Sequence, residues 1–382
     1  MIENANRLQS VKEYYFSQKL REVRGLVSQG RPIINMGIGS PDLPPSQKVL
    51  DALTDAISHP SAHQYQSYQG LPELREEMAN FYRTYYGVSL DPTSEVLPLM
   101  GSKEGIMHIS MAFLNPGDKV LVPNPGYPTY TSVTRLVEAE PLFYNLEEKH
   151  NWFPQVADLE KMDLSGVKLM WLGYPHMPTG AIAKDADLEA LIAFAHKHQI
   201  LLVKDNPYSF VLNKTPKSIL AFEGAKEVVL ELNSLSKSFN MAGWRVGMLM
   251  GRADLVESVL KVKSNMDSGM FYGIQKGAIE ALKAPKSWFD GLNEIYTKRR
   301  KAIFALADKL NLNYDPSAVG MFVWAKIGDN HTTSEMLVDQ LLYEHDIFIA
   351  PGTIFGSNGE GYVRFSLCVP EEKIVEALNR FN

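Results

Sequence analysis

Short apolar runs alternate with longer helical patterns between about residue 100 and residue 250. The apolar runs are nearly continuous, which is typical of parallel strands buried on both faces of a sheet. Most are bounded by Gly, Pro, Asp or Asn, which favour turns. Strands are predicted over residues 119–122, 167–172, 200–204, 228–232 and 246–250. This alternation predicts βαβ units and places the chain in the α/β class.

The predicted helices and the last third of the chain suggest two domains. Helices are predicted over 102–114 and 187–198, and the basic last turn of the second suits the negative end of the helix dipole. A long charged helix is predicted over 287–311, and GMFVWAKI and YVRFSLC then have the pattern of strands. A helix over 8–27 is expected to pack against them. We predict a large domain over 41–287 and a small domain formed by 1–40 with 288–382.

The composition excludes several classes of protein. The chain has 382 residues, 45% of them hydrophobic, and a net charge of -6, as in an ordinary globular enzyme. The largest basic cluster, KRRK at 298–301, is interpreted as a solvated helix face, so no nucleic-acid partner is expected. No apolar stretch approaches the roughly 18 residues of a membrane span, and no targeting segment is visible. The single cysteine, Cys368, cannot pair within the chain, which favours a cytoplasmic location.

A lysine surrounded by small hydroxyl residues follows a predicted strand in NSLSKSFNMAGWRVG, residues 233–247. Lys237 is a candidate nucleophile because lysine amines form Schiff bases with carbonyl compounds. Ser234, Ser236 and Arg245 offer the hydrogen-bond donors of a phosphate site. Most lysines in loops are simply solvated, so this motif is suggestive by itself.

Asp205 and Tyr208 stand at the end of another strand pattern, in ILLVKDNPY. Ligands of α/β sheets bind beyond the carboxyl ends of the strands, so both side chains are placed to reach one planar ligand. A carboxylate beside a pyridine nitrogen raises the pKa of that nitrogen, and a protonated ring accepts electrons from a carbanion. Taken alone, Asp205 is more typical of a turn or a helix cap.

Two further motifs offer contacts for anions. Ser102 and Lys103, in PLMGSKEG, start a predicted helix, where backbone N–H groups and the helix dipole favour a phosphate; a plain N-cap serine is the alternative. Arg364 lies inside the apolar strand GYVRFSLC, where a guanidinium is costly unless it binds a carboxylate. An internal salt bridge is the alternative for Arg364.

In this order and spacing, the motifs resemble the fold-type I aminotransferases of classes I and II. The resemblance extends from about residue 8 to residue 364. It implies a large domain with a mostly parallel, seven-stranded-type sheet flanked by helices, and a smaller α+β domain formed by both chain ends. It also implies the cofactor pyridoxal 5'-phosphate. The similar stretches are INMGIGSPDLPPS, YQSYQGLPELRE, GSKEGIMHISMAFLNPGDKVLVPNPGYPTY, PTGA, the Asp205 and Tyr208 pair, SLSKSFNMAGWRVG and VRFSL.

The resemblance assigns a role to each matching residue around the cofactor ring. Lys237 would form the Schiff base and then shuttle a proton between Cα and C4′ of the substrate-cofactor adduct. Asp205 would pair with the pyridinium nitrogen, and Tyr208 would donate to the phenolate oxygen. Tyr127 would stack on the ring, with a surface tyrosine as the alternative.

The resemblance also assigns the phosphate and carboxylate contacts. Gly39 would meet the substrate carboxylate through its backbone, and Arg364 would bind the same group. Tyr65 would reach the phosphate from a second subunit, which implies a homodimer with shared active sites. The other phosphate ligands would be Ser102, Lys103, Ser234 and Arg245.

One departure from the family pattern concerns the phenolate oxygen. The family usually has Asn-Pro-Thr-Gly where this chain has Met177-Pro178-Thr179-Gly180, and methionine cannot replace the amide donor. A lost hydrogen bond to a charged oxygen costs about 1.5 to 3 kcal/mol of interaction. His176 is a candidate substitute, although a turn histidine without a role is more common. The histidines show no metal-binding spacing, and no metal site is predicted.

The implied activity is ping-pong transamination between an amino acid and a 2-oxo acid. SNMDSGMFYGIQ and the GSKEG loop look most like the LL-diaminopimelate and related aspartate aminotransferases. That likeness favours aspartate, glutamate or a related dicarboxylic amino acid. Two alternatives stay open: a β-eliminating lyase of the same fold, and a catalytically weakened binding or regulatory protein in which Met177 marks decay of the site.

Overall fold

The computed structural model describes residues 2–10, 15–328 and 333–381. Its helices are α1 Tyr15–Ser28, α2 Gln47–Ile57, α3 Pro72–Tyr86, α4 Ser102–Phe113, α5 Pro128–Leu136, α6 Val156–Leu159, α7 Asp185–His198, α8 Ala225–Val228, α9 Leu235–Ser238, α10 Ala253–Lys263, α11 Tyr272–Leu282, α12 Lys286–Lys309, α13 Ser334–His345 and α14 Glu371–Asn379. Its strands are β1 Ile34–Asn35, β2 Val96–Leu99, β3 Lys119–Asn124, β4 Glu140–Asn145, β5 Val167–Gly173, β6 Leu201–Asp205, β7 Val229–Ser234, β8 Gly247–Gly251, β9 Asn313–Tyr314, β10 Phe322–Lys326, β11 Ile347–Phe348, β12 Ala350–Pro351 and β13 Tyr362–Ser366.

The central sheet has seven strands in the order β2-β8-β7-β6-β5-β3-β4. Strand β8 runs antiparallel to both of its neighbours, and the other pairings are parallel. The predicted α/β class and mostly parallel sheet are confirmed. The five predicted strands and the helices over 102–114, 187–198 and 287–311 are also confirmed, with ends displaced by a few residues at most.

Apolar side chains fill both faces of this sheet, as the near-continuous apolar runs predicted. In β6, Leu202 packs into a cluster that includes Met78 of α3, whereas the next residue, Val203, packs into a cluster that includes Ile106 of α4. Successive residues of a strand point to opposite faces, so a strand covered on both sides must be apolar at both positions. The apolar run of β6 ends at Lys204, which is buried and lies 3.5 Å from Glu231 of β7, and Asp205 then stands at the carboxyl edge of the sheet.

A smaller antiparallel sheet, in the order β12-β13-β10-β9, packs with segments from both chain ends. Strand β1 pairs with β11 in parallel, aligning Ile34 with Ile347. Val23 of α1 and Ile303 of α12 share a third apolar cluster. The predicted helix over 8–27 corresponds to α1, although residues 11–14 lie outside the described residues. The division into 41–287 and 1–40 with 288–382 stays a prediction. No helix within the described ranges is long and apolar enough to cross a membrane.

The basic run at 298–301 is not a uniformly solvated face, so its interpretation as one was wrong. Arg299 is only 4% exposed, and its two terminal nitrogens donate to the two carboxylate oxygens of Asp42 at 2.7 and 2.8 Å. It also donates to the carbonyl of Leu367 at 3.0 Å. Successive helical residues point in directions about 100° apart, so one member of a run of four can face the core. This ion pair ties α12 to the segment after β1.

Arg299→Met is expected to lower the free energy of unfolding by about 3 kcal/mol, because it leaves Asp42 and a buried carbonyl without their partner. Urea denaturation at neutral pH measures the change. Lys301→Met is the matched control, since Lys301 lies on the same helix and is exposed. Equal stability of the two variants would contradict the structural role of the Arg299 pair.

Candidate active site

A cavity of about 570 Å³ lies between the two sheets. Its floor is the carboxyl edge of the central sheet, where Gly173, Asp205 and Ser234 end β5, β6 and β7. Its roof carries residues of the smaller sheet, among them Phe322 and Arg364. The predicted site residues that line the cavity are Gly39, Ser102, Lys103, Tyr127, His176, Asp205, Tyr208, Ser234, Lys237, Arg245 and Arg364.

Lys237 reaches across the cavity from the short helix α9. Its Nζ donates to the carbonyl of Gly39 at 2.6 Å. A Cβ on Gly39 would lie 2.4 Å from the ring of Phe322, so only glycine allows this backbone to pass so close. Burial lowers the pKa of Lys237 below its ordinary value, and the charges of Arg364 and Arg245 act in the same direction. A lowered pKa increases the fraction of neutral amine, which is the nucleophilic form.

Asp205 presents one free carboxylate oxygen. Its side chain is buried, and burial raises its pKa to about 7. Tyr130 donates to Oδ2 at 3.1 Å, while Oδ1 is buried without any hydrogen-bond partner in the described part of the chain. Buried polar atoms rarely lack a partner, so the free oxygen calls for one. A protonated ring nitrogen in the cavity would supply both a donor and an opposite charge.

The start of α4 and the guanidinium of Arg245 lie together at one end of the cavity. A Cβ on Gly101, the residue before α4, would lie 2.3 Å from Nη2 of Arg245. Arg245 itself has a φ of 57°, a conformation that costs energy for a residue with a side chain. Nearby, the hydroxyl of Ser234 accepts from the backbone N–H of Ser236 at 3.1 Å. Helix N–H groups, hydroxyls and a guanidinium together form the donor set of a phosphate site.

Arg364 is buried in the roof of the cavity without an acidic partner among the described residues. It is 6% exposed, and burial lowers its pKa to about 10. Its guanidinium carbon lies 3.9 Å from the ring centre of Phe322 and 4.6 Å from that of Phe355. Its Nη2 donates to the carbonyl of Gly37 at 2.9 Å, while Nε lacks a hydrogen-bond partner within the described ranges. The alternative of an internal salt bridge is therefore wrong, and a carboxylate ligand suits the site.

The match to a known family identifies the class of protein to which this cavity belongs. The family model described as aminotransferase class I and II matches residues 31–381. The chain belongs to this family. Class I and II aminotransferases use pyridoxal 5'-phosphate. The free oxygen of Asp205 and the donors around Arg245 fit the ring nitrogen and the phosphate of that cofactor.

Curated relatives and solved structures agree over nearly the whole chain. The LL-diaminopimelate aminotransferase of Halothermothrix orenii is 39% identical over 99% of this chain and 98% of its own length. The substrate-bound BacF structure from Bacillus subtilis is 35% identical, with a TM-score of 0.95, and covers 100% of this chain and 97% of its own. The aspartate aminotransferase of Thermus thermophilus, solved with maleate, is 26% identical, with a TM-score of 0.92, and covers 100% and 99%.

Tyr65 does not line the cavity of this aminotransferase. Its side chain is 90% exposed. An exposed tyrosine is compatible with a contact to a second subunit, but its phosphate role stays a prediction.

Tyr130 is a site residue that the sequence did not predict. It lies three residues after Tyr127, and its ring stacks on Trp171 with centres 4.9 Å apart and planes 3° apart. This stacking aims the hydroxyl at Asp205. The only signal in the sequence was the second tyrosine of NPGYPTY.

The structure also brings together Glu104, His108 and Asp267, residue types that bind metals. However, Lys263 lies 2.8 Å from Asp267, and Glu104 lies 2.9 Å from His108. The ammonium of Lys263 already neutralises Asp267, and Glu104 is hydrogen-bonded to His108, so we interpret the cluster as a hydrogen-bonded polar network.

Tyr130→Phe is expected to weaken binding of pyridoxal 5'-phosphate at least roughly tenfold, because a hydrogen bond to a charged carboxylate is lost. Titration of cofactor-free protein with the cofactor measures the dissociation constant. Tyr144→Phe is the matched control: it removes a buried tyrosine hydrogen bond, 2.6 Å to the carbonyl of Trp171, outside the cavity. Equal affinity in both variants would exclude the positioning role of Tyr130.

Proposed function

We propose that this aminotransferase moves an amino group from an L-amino acid to a 2-oxo acid in two half-reactions, with Lys237 as nucleophile and proton carrier. The observation that carries the proposal is one cavity containing a half-buried lysine with a lowered pKa, a carboxylate with a free oxygen and an arginine without an acidic partner among the described residues. When bound, pyridoxal 5'-phosphate supplies an aldehyde and an electron-accepting ring.

The residues around the floor would hold the cofactor. Oδ1 of Asp205 would accept a hydrogen bond from the ring nitrogen. Tyr127 would stack on the ring face, and Tyr208 would donate to the phenolate oxygen. The phosphate would lie at the start of α4, held by Ser102, Lys103, Ser234 and Arg245, and Ser236, which the sequence also placed among the phosphate donors, lines the same cavity.

Arg364 would bind the α-carboxylate of the substrate. A carboxylate gains two donors there and supplies the charge that the buried guanidinium lacks. Gly39 would approach the same group through its backbone. Lys237 would then take the proton from Cα of the substrate and deliver it to C4′ of the cofactor.

Met177 stands where the family usually has an asparagine, and His176 is the residue before it. Methionine has no side-chain amide to offer to the cofactor. Its thioether sulfur instead accepts a hydrogen bond from Nη1 of Arg364 at 3.4 Å. His176 is buried, and burial lowers its pKa to about 3, so its ring is neutral. Its Nε2 has no hydrogen-bond partner among the described residues. We propose His176 as the substitute donor, with Nδ1 accepting from Thr179 at 2.8 Å.

Assembly and location complete the proposal. A homodimer would bring Tyr65 of one subunit to the phosphate of the other. A free, buried Cys368 is compatible with a reducing cytoplasm.

A dicarboxylic donor is a second candidate for the finer specificity. It is favoured by the likeness of GSKEG and SNMDSGMFYGIQ, and two relatives 39% identical to this chain are LL-diaminopimelate aminotransferases. Aspartate or glutamate would need a second cation for the distal carboxylate.

The test is the absorbance spectrum of the holoenzyme during titration with single amino acids. The visible band of the bound cofactor is expected to fall as the near-ultraviolet band of its aminated form rises, with release of the matching 2-oxo acid. Lys237→Arg keeps the charge but cannot form a Schiff base, and is expected to lower the rate at least about 10⁴-fold.

Two outcomes would favour the alternatives. Release of pyruvate and ammonia without any oxo-acid acceptor would identify a β-eliminating lyase. A cofactor band that no amino acid perturbs would instead identify a weakened binding protein.

A further inference from the structure

An apolar cluster forms one wall of the cavity. Trp324, Ala350 and Phe355 are its buried members, and half-buried residues pack against them. Four members of this cluster line the cavity: Phe16, Met177, Ile354 and Phe355. The wall combines residues from α1, from the turn before α7 and from the turn after β12, so three distant segments converge to make it apolar.

Few charged side chains line the cavity, and each lies near an identifiable part of the site. Among the described lining residues the cations are Lys103, Lys237, Arg245 and Arg364, and Asp205 is the carboxylate. Lys103 and Arg245 lie at the phosphate end, by the start of α4. Lys237 donates to the carbonyl of Gly39. Arg364 is thus the cation that remains for the substrate among the described lining residues of one chain, and it matches one carboxylate.

The surroundings of Arg364 are themselves apolar. Phe322 and Phe355 lie on its guanidinium, and the sulfur of Met177 lies 3.4 Å from Nη1. Where the family usually has an amide, this chain therefore has a thioether at the junction of the carboxylate site and the apolar wall. A second carboxylate placed against this wall would be desolvated without a partner, which is strongly unfavourable.

We infer that the amino donor has an uncharged, apolar side chain of the size of leucine, methionine or phenylalanine, which packs on Phe16, Met177 and Ile354. This inference rests on the proposed transamination, because it assumes that Arg364 binds the α-carboxylate. It argues against a dicarboxylic amino donor, because the wall that would meet the second carboxylate is apolar.

The direct test ranks donors with the unmodified holoenzyme. Second-order rates of the first half-reaction are measured with leucine, methionine, phenylalanine, aspartate, glutamate and LL-diaminopimelate. We expect the best apolar donor to exceed each of the three polycarboxylic ones on the order of 100-fold. Binding of the unreactive acids 4-methylpentanoate and succinate, followed by tryptophan fluorescence, is expected to favour 4-methylpentanoate.

Ile354→Arg tests the wall itself. The new guanidinium supplies the missing second cation, so the preference is expected to move toward the dicarboxylic donors by at least about tenfold. Val375→Arg is the matched control, because Val375 is exposed on α14 outside the cavity. It is expected to leave the ranking unchanged.

The outcomes separate the two proposals. Faster reaction and tighter binding with dicarboxylic compounds in the unmodified enzyme would overturn the apolar specificity and leave transamination intact. No reaction with any amino acid would overturn the proposed function and, with it, the specificity. If Ile354→Arg does not fold, the ranking in the unmodified enzyme decides alone.

Discussion

Three ionisable groups, the buried Asp205 and Arg364 and the half-buried Lys237, lack an ion-pair partner among the described residues, and the rest of the site is arranged around them. Burial disfavours the charged form of each group, as the raised pKa of Asp205 and the lowered pKa values of the two cations indicate. Such groups cost stability unless a ligand supplies the opposite charge. A protonated ring nitrogen and a substrate carboxylate would supply the charges that Asp205 and Arg364 lack.

The fold explains how these groups come together. Parallel strands covered on both faces are mostly apolar, with the buried pair of Lys204 and Glu231 as an exception, and the polar groups of the site stand where the strands end and face the second sheet. Asp205 and Ser234 are such end residues, and Arg364 faces them from β13. The short carbonyl contact of Lys237 with Gly39 joins the two sides across the cavity. The same edge therefore positions the cofactor site and the substrate site.

The sequence predicted the parts of this arrangement that depend on local pattern. Continuous apolar runs indicated β3, β5, β6, β7 and β8, and the motif order indicated the cavity residues. Contacts between distant segments were not predictable. The hydrogen bond from Tyr130 to Asp205 depends on the stacking of the Tyr130 ring against Trp171. The contact of Met177 with Arg364 joins residues that are 187 positions apart. Arg299 was misread because a run of charges does not reveal which member faces the core.

The most direct test of the central claim is the unfolding free energy of cofactor-free Asp205→Asn and wild type at pH 5 and pH 8. The folded pKa of Asp205, about 7, lies above its ordinary value of 3.8. The folded protein then holds the proton more tightly, so this group's contribution to stability is present at low pH and is lost as the pH rises toward 7. The stability of Asp205→Asn relative to wild type is expected to increase by about 2 to 3 kcal/mol from pH 5 to pH 8. A pH-independent difference, or a variant less stable at pH 8, would show that the carboxylate is satisfied within the chain and would contradict the account.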